Sequence, residues 1–280
     1  MKNEKELTQC AAPTRLCRLL LKCYDVKNNL IRLELKFNMA TDNHGKVYIN
    51  SKGKRVLRVS EVIKMLGKEQ IAIWANMLGF KHIRYRDELE RTANIGSMVH
   101  AILEDFSDET SLTAIDRFDD FGIYNYSDKL EASNALQSFF SWYEKNYKLY
   151  RVIDTEVELV GEEYGGTTDI ILQSPWHADR VLIGDYKTAK AVYFSMFLQA
   201  GAYISLYEEK HGEKSCDGAV IFQLDKKRGE KARPKFIDRK SMQKYIDAFQ
   251  ALLQVALHVH DIEKEFEDDM EPFTVKYVLE

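Results

Sequence analysis

The sequence predicts an α/β fold, and three patterns carry that prediction. Short β-branched and aliphatic runs, such as Val181-Leu182-Ile183 and Ala219-Val220-Ile221-Phe222, have the length and composition of buried strands. Long stretches with apolar residues at helical spacing, above all Leu130–Tyr150 and Lys240–Phe266, read as amphipathic helices. Between them lie two strands joined by Gln173-Ser174-Pro175-Trp176-His177-Ala178-Asp179, a turn-rich connection whose proline would stop a strand.

Residues 1–45 stand apart. They hold three of the four cysteines (Cys10, Cys17, Cys23), and Thr14–Leu35 has only a loose helical pattern. They read as a peripheral N-terminal extension, expected to be poorly ordered, with the folded domain over 46–280. A strand at Lys46-Val47-Tyr48-Ile49 opens that domain, and after the turn Asn50–Gly53 comes a second run, Val56–Val59. Ser60 is placed to cap a helix with Ile63, Met65 and Leu66 as its apolar face. Ile71–Leu78, centred on Trp74, continues as helix and is expected to stop at Gly79.

A longer helix runs from about Tyr85 to Phe106 and presents His100 and Glu104, four apart, on one face. Gly96 inside it costs about 1 kcal/mol against alanine, which points to a close backbone approach there. Ser107–Asp128 is acidic and aromatic with weak periodicity and reads as short helices or loops. In Leu130–Tyr150 the residues Leu136, Phe139, Phe140, Tyr143 and Tyr147 form a stripe whose ordinary destination is the core. Thr155–Val160 alternates polar and apolar as a half-buried strand should. Past the central hairpin come a helix over Val192–His211, with Gln199 and Tyr203 on one face, and a strand at Ala219–Leu224. A basic turn with Lys226, Lys227, Arg228, Lys231 and Arg233 follows, then a return strand at Pro234–Ile237 and the last long helix.

A chain of 280 residues allows one large domain or two small ones. Its net charge of −4 supplies no global basic field, although a local basic strip beside an acidic site would cancel in that sum. No apolar run approaches the roughly 20 residues of a membrane span, so no membrane partner is expected. Charges interrupt Leu19-Leu20-Leu21, which argues against a signal peptide. Four cysteines in this length make no disulfide framework, and a reducing, cytoplasmic location is expected.

The chemistry concentrates in Gly184-Asp185-Tyr186-Lys187-Thr188. Residues i and i+2 of a strand share a face, so Asp185 and Lys187 are presented together. If Gly166–Leu172 and Val181–Lys187 pair antiparallel about His177, Asp169 falls opposite Asp185 with Cβ atoms about 5 Å apart. Two carboxylates that close repel unless a cation sits between them, and either a lysine or Mg²⁺ could be that cation.

Gly96-Ser97-Met98-Val99-His100, Asp169, Asp185-Tyr186-Lys187 and Gln199-x-x-x-Tyr203, in that order, resemble the PD-(D/E)XK nuclease superfamily, specifically its RecB-like exonuclease branch. The resemblance spans roughly residues 46–240; Val59-Ser60-Glu61-Val62 and Trp74 are similar to features of phage exonucleases and of the mitochondrial genome maintenance exonuclease. It implies a restriction-endonuclease-like mixed β-sheet flanked by helices. It also implies metal-assisted phosphodiester hydrolysis with Mg²⁺, for which Mn²⁺ would substitute. His100, Asp169 and Asp185 would be metal ligands, helped by the Tyr186 carbonyl, and Lys187 would orient or deprotonate the attacking water. Gln199 and Tyr203 would hold the substrate strand or the lysine, and Glu104 and Glu156 would stand behind the ligands or at a second metal.

The expected partner is DNA, single-stranded and with a free end, in a bacterial or phage-infected cell where DNA is recombined, repaired or degraded. The basic turn would contact phosphates. Tyr124, Tyr126, Trp142 and Tyr143 are candidates to stack on bases. Related nucleases carry an iron–sulfur cluster on one cysteine before the core and three after; here three precede and only Cys216 follows, so no cluster is expected. Two rival readings are an endonuclease and an inactive DNA-binding protein of the same fold, and the complete residue set argues against the second.

Overall fold

The computed structural model describes residues 22–26, 30–34, 46–67, 69–104, 112–229, 232–269 and 274–278. In chain order the first elements are β1 (Lys22–Val26), β2 (Leu30–Glu34), β3 (Tyr48–Ile49), β4 (Arg55–Arg58), α1 (Val59–Lys64), α2 (Glu69–Phe80) and α3 (Tyr85–Glu104). A 3₁₀ helix (Leu112–Phe121) and α4 (Tyr126–Asn146) follow, then β5 (Val152–Val160), β6 (Tyr164–Gln173) and β7 (Val181–Lys187). The chain ends in α5 (Phe194–His211), β8 (Cys216–Gln223), β9 (Arg233–Asp238), α6 (Arg239–Asp269) and β10 (Thr274–Val278).

Two compact units result: Met1–Lys46 with His258–Glu280, and Val47–Leu257. In the first, β2 pairs antiparallel with both β1 and β10. The sequence reading saw none of these three strands, and the remainder of the proposed extension over 1–45 lies outside the described residues. The second unit holds a seven-stranded mixed sheet in the order β3-β4-β6-β7-β8-β9, with β5 on the other edge of β6. This is the α/β architecture of a restriction-endonuclease-like fold.

Side-chain alternation along the strands sorts two cores. Ile170, Leu172, Leu182, Tyr186, Val220 and Phe222 pack against α3 and α4 residues such as Met98, Phe139 and Trp142. Ile171, Ile183, Ala219 and Ile221 pack against α5 and α6 through residues such as Leu198, Ile204, Met242 and Phe249.

Several boundaries differ from expectation, each for a local reason. Helix α1 starts at Val59, with Arg58 rather than Ser60 at the cap, because the Glu61 carboxylate accepts the Arg58 backbone N–H. Helix α2 runs through Gly79 to Phe80, and the chain turns only at His82, whose φ is 56°. Helix α4 begins four residues early, where Asn125 accepts the Asp128 amide. A Cβ built on Gly96 would meet nothing nearer than Thr188 Oγ1 at 3.5 Å, so packing does not force that glycine.

The β6–β7 ladder pairs Ile170 with Gly184 and Gln173 with Val181, the register centred on His177. Its far end is clamped. Between β7 and β8 the register slips at Asp217, since Val181 faces Cys216 while Leu182 faces Gly218. The extra residue turns its carboxylate into the hairpin connection, where it accepts from Ser174 Oγ, His177 Nδ1 (2.7 Å) and Arg180 Nη1 (3.0 Å). Gly218 follows with φ 143° and its Cα against β9, where a Cβ would lie 2.1 Å from the Ile237 carbonyl oxygen.

Burial alone would raise the Asp217 pKa, but the three donors outweigh it and hold the carboxyl below the ordinary range. A carboxyl so depressed stabilises the fold above its unfolded pKa of about 3.9 and loses that contribution as pH falls through its folded value. Asp217→Asn should therefore cost about 2 kcal/mol in urea denaturation at pH 7. The gap from wild type should close below about pH 4. A variant as stable as wild type at neutral pH would show that Asp217 does not clamp the hairpin.

Candidate active site

The site forms where the sheet forks. Strand β4 pairs parallel with the beginning of β6, at Tyr164 and Gly165, and β7 pairs with its end, from Ile170 onward. Both use the edge of β6 opposite β5, so among the described residues Gly166–Asp169 have no strand neighbour on that edge. Side chains take over there: Thr168 Oγ1 donates to the Gly184 carbonyl at 3.0 Å, and the Tyr186 N–H donates to Asp169 Oδ2 at 2.6 Å.

Asp169 Oδ1 lies 3.4 Å from His100 Nδ1, which α3 brings to the fork. Across β6, the pairs Thr155–Ile170 and Val157–Thr168 leave Glu156 facing Asp169. Glu156 has φ 49°, a left-handed backbone costly for a residue with a Cβ. Ligand atoms of His100, Glu156 and Asp169 all lie within 4.8 Å of one another, close enough to hold one metal ion. The T-shaped contact of the Tyr186 ring with the His100 ring, centroids 6.0 Å apart, walls the imidazole on its core side.

Asp185 is 1% exposed and pairs with Lys187, whose Nζ lies 2.7 Å from Oδ1 and 2.6 Å from Oδ2. The second contact is off the hydrogen-bond direction, so Oδ2 is a buried carboxylate oxygen without a hydrogen bond. The repulsion expected between the aspartates is thus relieved twice over, by Lys187 on Asp185 and by His100 on Asp169.

The charges follow from this pairing. Burial raises the Asp185 pKa and Asp169 adds to it; Lys187 opposes both, and the carboxyl stands at about 6. Burial works against the Lys187 ammonium, but Asp185 and Asp169 together hold its pKa above the ordinary value. The two directions agree above pH about 6, where the pair is an ionised carboxylate and an ammonium. Asp169, despite burial, is lowered by His100, Lys187 and the Tyr186 N–H. His100 is raised: burial pulls it down, and the Asp169 carboxylate more than compensates.

The donor set fits a divalent cation, with two carboxylates and an imidazole converging, while Asp185, outside that group, is held by Lys187. Glu156, expected behind the ligands or at a second metal, belongs to the converging group. The Glu104 side chain is exposed and does not join it; its carbonyl accepts from Thr155 Oγ1 at 3.0 Å and ties α3 to β5 next to Glu156. On α5, Gln199 Nε2 donates to the Tyr203 hydroxyl at 3.2 Å. Burial raises the Tyr203 pKa, with Gln199 opposing and the two aspartates adding, so the phenol stays neutral.

Thr168 and Gly166 escaped the sequence reading, although both sit in the run that delivers Asp169. Gly166 makes room for Tyr203, since a Cβ there would lie 2.5 Å from the ring.

The basic turn is docked rather than free. Asn134 Nδ2 donates to the Lys226 and Lys227 carbonyls, both at 3.0 Å. Lys226 turns inward, its Nζ 3.7 Å from Glu131, and burial lowers its pKa. Lys227, Arg228 and Arg233 are exposed, and Lys231 lies outside the described residues. Of the aromatic candidates, Trp142 and Tyr143 are buried around Phe139, whereas Tyr124 and Tyr126 are exposed. Cys216 is buried in the core, and Cys10 and Cys17 lie outside the described residues.

Two glycine substitutions should differ in sign. Gly166→Ala drives a methyl into the Tyr203 ring and should cost about 1–3 kcal/mol in denaturation. Gly96→Ala has room and should gain up to about 1 kcal/mol from helix propensity. Equal effects would contradict the cradle at Gly166.

No curated protein matches the chain. The family profile of the PD-(D/E)XK nuclease superfamily matches residues 78–273, well over half of the 280 residues. That span includes His100, Glu156, Asp169, Asp185, Lys187, Gln199 and Tyr203. The chain belongs to the PD-(D/E)XK nuclease superfamily.

Proposed function

We propose that the protein is a Mg²⁺-dependent DNA exonuclease of the RecB-like branch, acting on end-containing and preferably single-stranded DNA in recombination, repair or degradation. The observation that carries this reading is the convergence of His100, Glu156 and Asp169 beside the buried Asp185–Lys187 pair. These residues, with Asp185 Oδ2, would hold the cation, and Mn²⁺ would substitute for Mg²⁺. When bound, the cation supplies Lewis-acid polarisation of the phosphate and lowers the pKa of a water.

The remaining work falls to the chain itself. Hydrolysis adds water to phosphorus and breaks one P–O ester bond. Lys187, kept protonated by two aspartates, serves as a donor: it orients the water and offsets negative charge growing on the phosphate oxygens. Asp185 aims that ammonium and keeps it in place. Gln199 and the neutral Tyr203 line the α5 side and position the strand. Lys227, Arg228 and Arg233 supply backbone contacts at a distance from the chemistry. The intact set of aspartates and lysine favours an active enzyme over an inactive DNA-binding relative. Among the described residues no helix is long and apolar enough to cross a membrane.

The test is a digestion panel of linear and circular, single- and double-stranded DNA with Mg²⁺ and with excess EDTA. Degradation of linear single strands, abolished by EDTA, is expected, with circles resistant. Equal rates on circles and linear strands would replace the exonuclease by an endonuclease. Activity unaffected by EDTA would overturn the metal site.

Asp185→Asn is the informative variant, since alanine would leave Lys187 buried without its partner. It should lower the rate at least about a hundredfold, more than typical losses from residues behind a ligand. Wild-type activity in Asp185→Asn would remove Asp185 from the site.

A further inference from the structure

The chain leaves the sheet at Lys187 and crosses to α5 through residues 188–193. Strands β7 and β8 run parallel, with Lys187 facing Gln223. The segment after Lys187 and the basic turn after Gln223 therefore emerge at the same end of the sheet. The first residue past β8 is tied to β7 as well, since the Leu224 N–H donates to the Lys187 carbonyl at 2.8 Å.

Past Lys187 the ladder with β8 has ended, and one side chain continues it. Gln223 Nε2 donates to the Ala189 carbonyl at 3.3 Å and to the Lys190 carbonyl at 2.7 Å, so both hydrogens of its amide serve this segment. Helix α3 bounds the segment on another side. The nearest atom to a Cβ built on Gly96 is Thr188 Oγ1, at 3.5 Å. Gly96 lies one turn before His100 on the same face of α3, about 6 Å along the axis. Residues 188–190 thus run between the His100 face of α3 and the end of β8.

Lys190 is the charge that this arrangement presents. It is exposed, and among the described residues its ammonium has no ion-pair partner, whereas Lys187 is paired with Asp185 and Lys226 with Glu131. It follows Lys187 by three residues, so their Cα atoms are at most about 11 Å apart. Glu156, Asp169 and Asp185 make the site acidic, and a phosphodiester approaching it is repelled unless cations lie along its path.

We infer that Lys190 binds a backbone phosphate of the substrate strand beside the scissile one, and that Gln223 is the positioning residue that holds it there. The inference rests on the nuclease reading and adds to its site a contact that is indifferent to base identity. An ammonium meets a phosphate as a point charge on a flexible stem, and ordering that stem costs affinity. Fixing the main chain at Ala189 and Lys190 removes part of the cost before the strand arrives.

The test is steady-state digestion by the full-length protein, in Mg²⁺, of whichever linear DNA it cleaves fastest, repeated from about 50 to 200 mM KCl. Lys190→Gln should raise KM about fivefold or more, with a smaller change in kcat. It should also lower the slope of log KM against log salt by about 0.7–0.9, the share of one phosphate. Gln223→Met keeps the length of the side chain without its donors and should reproduce much of that loss. Added to Lys190→Gln it should cost little more, because the two residues act as one unit. Unchanged KM and salt slope in Lys190→Gln would overturn the inference and leave the nuclease reading standing, since wild type still digests. Additive losses in the double variant would remove Gln223 from its positioning role. No digestion of any DNA by wild type would defeat both readings. Lys190 is exposed, so its variant reports on the contact even if Gln223→Met fails to fold.

Discussion

The central constraint is a gap in a β-ladder. A buried strand must satisfy every backbone donor and acceptor, and β6 does so with β5 on one edge but with two different strands on the other. Where β4 has ended and β7 has not yet begun to pair, an aspartate and a threonine close the gap with their side chains. The Asp169 carboxylate is therefore structural before it is chemical. Its oxygen on the Tyr186 amide holds β7 against β6 one residue before Lys187.

Buried charge is managed by pairing each carboxylate with its own cation. Removing one partner of such a pair strands the other, which is far costlier than the pair is worth. His100 serves Asp169, Lys187 serves Asp185, and Arg180 serves Asp217, which also accepts a hydrogen bond from His177, at the other end of the same hairpin. Both ends of β7 are thus held by carboxylates of neighbouring strands, Asp217 of β8 on Arg180 and Asp169 of β6 on the Tyr186 N–H, and the hydrophobic ladder between them has little freedom to slip. That matters because a one-residue slip would send Asp185 and Lys187 to the opposite face.

The β6–β7 hairpin was legible because its information is local: the turn fixes the register, and alternation presents Asp185 and Lys187 together, where they pair. Helix α5 was legible for the same reason, through the spacing of Gln199 and Tyr203. The left-handed backbone at Glu156, inside a strand, was not legible, because alternation does not foresee it. The bulge at Asp217 was invisible because it arises from the pairing of β7 with β8, elements far apart in sequence. Strands β1, β2 and β10 were missed since their patterns become meaningful only when the two ends of the chain are paired. In the basic turn composition does not distinguish Lys226, which packing turns onto Glu131, from the exposed Lys227, Arg228 and Arg233.

Position 156 answers to two demands that draw on different sets of residues. Its backbone, at φ 49°, is comfortable for glycine and tolerable for asparagine or aspartate. Its place among the converging ligand atoms calls for a carboxylate, hence glutamate or aspartate. Only aspartate satisfies both, and it is one methylene shorter than the side chain whose oxygen arrives beside His100 and Asp169. Glutamate stands there against the preference of its own main chain, at a conformational cost of about 1–3 kcal/mol. Reach outranks local comfort at this position, and its vocabulary is close to a single letter.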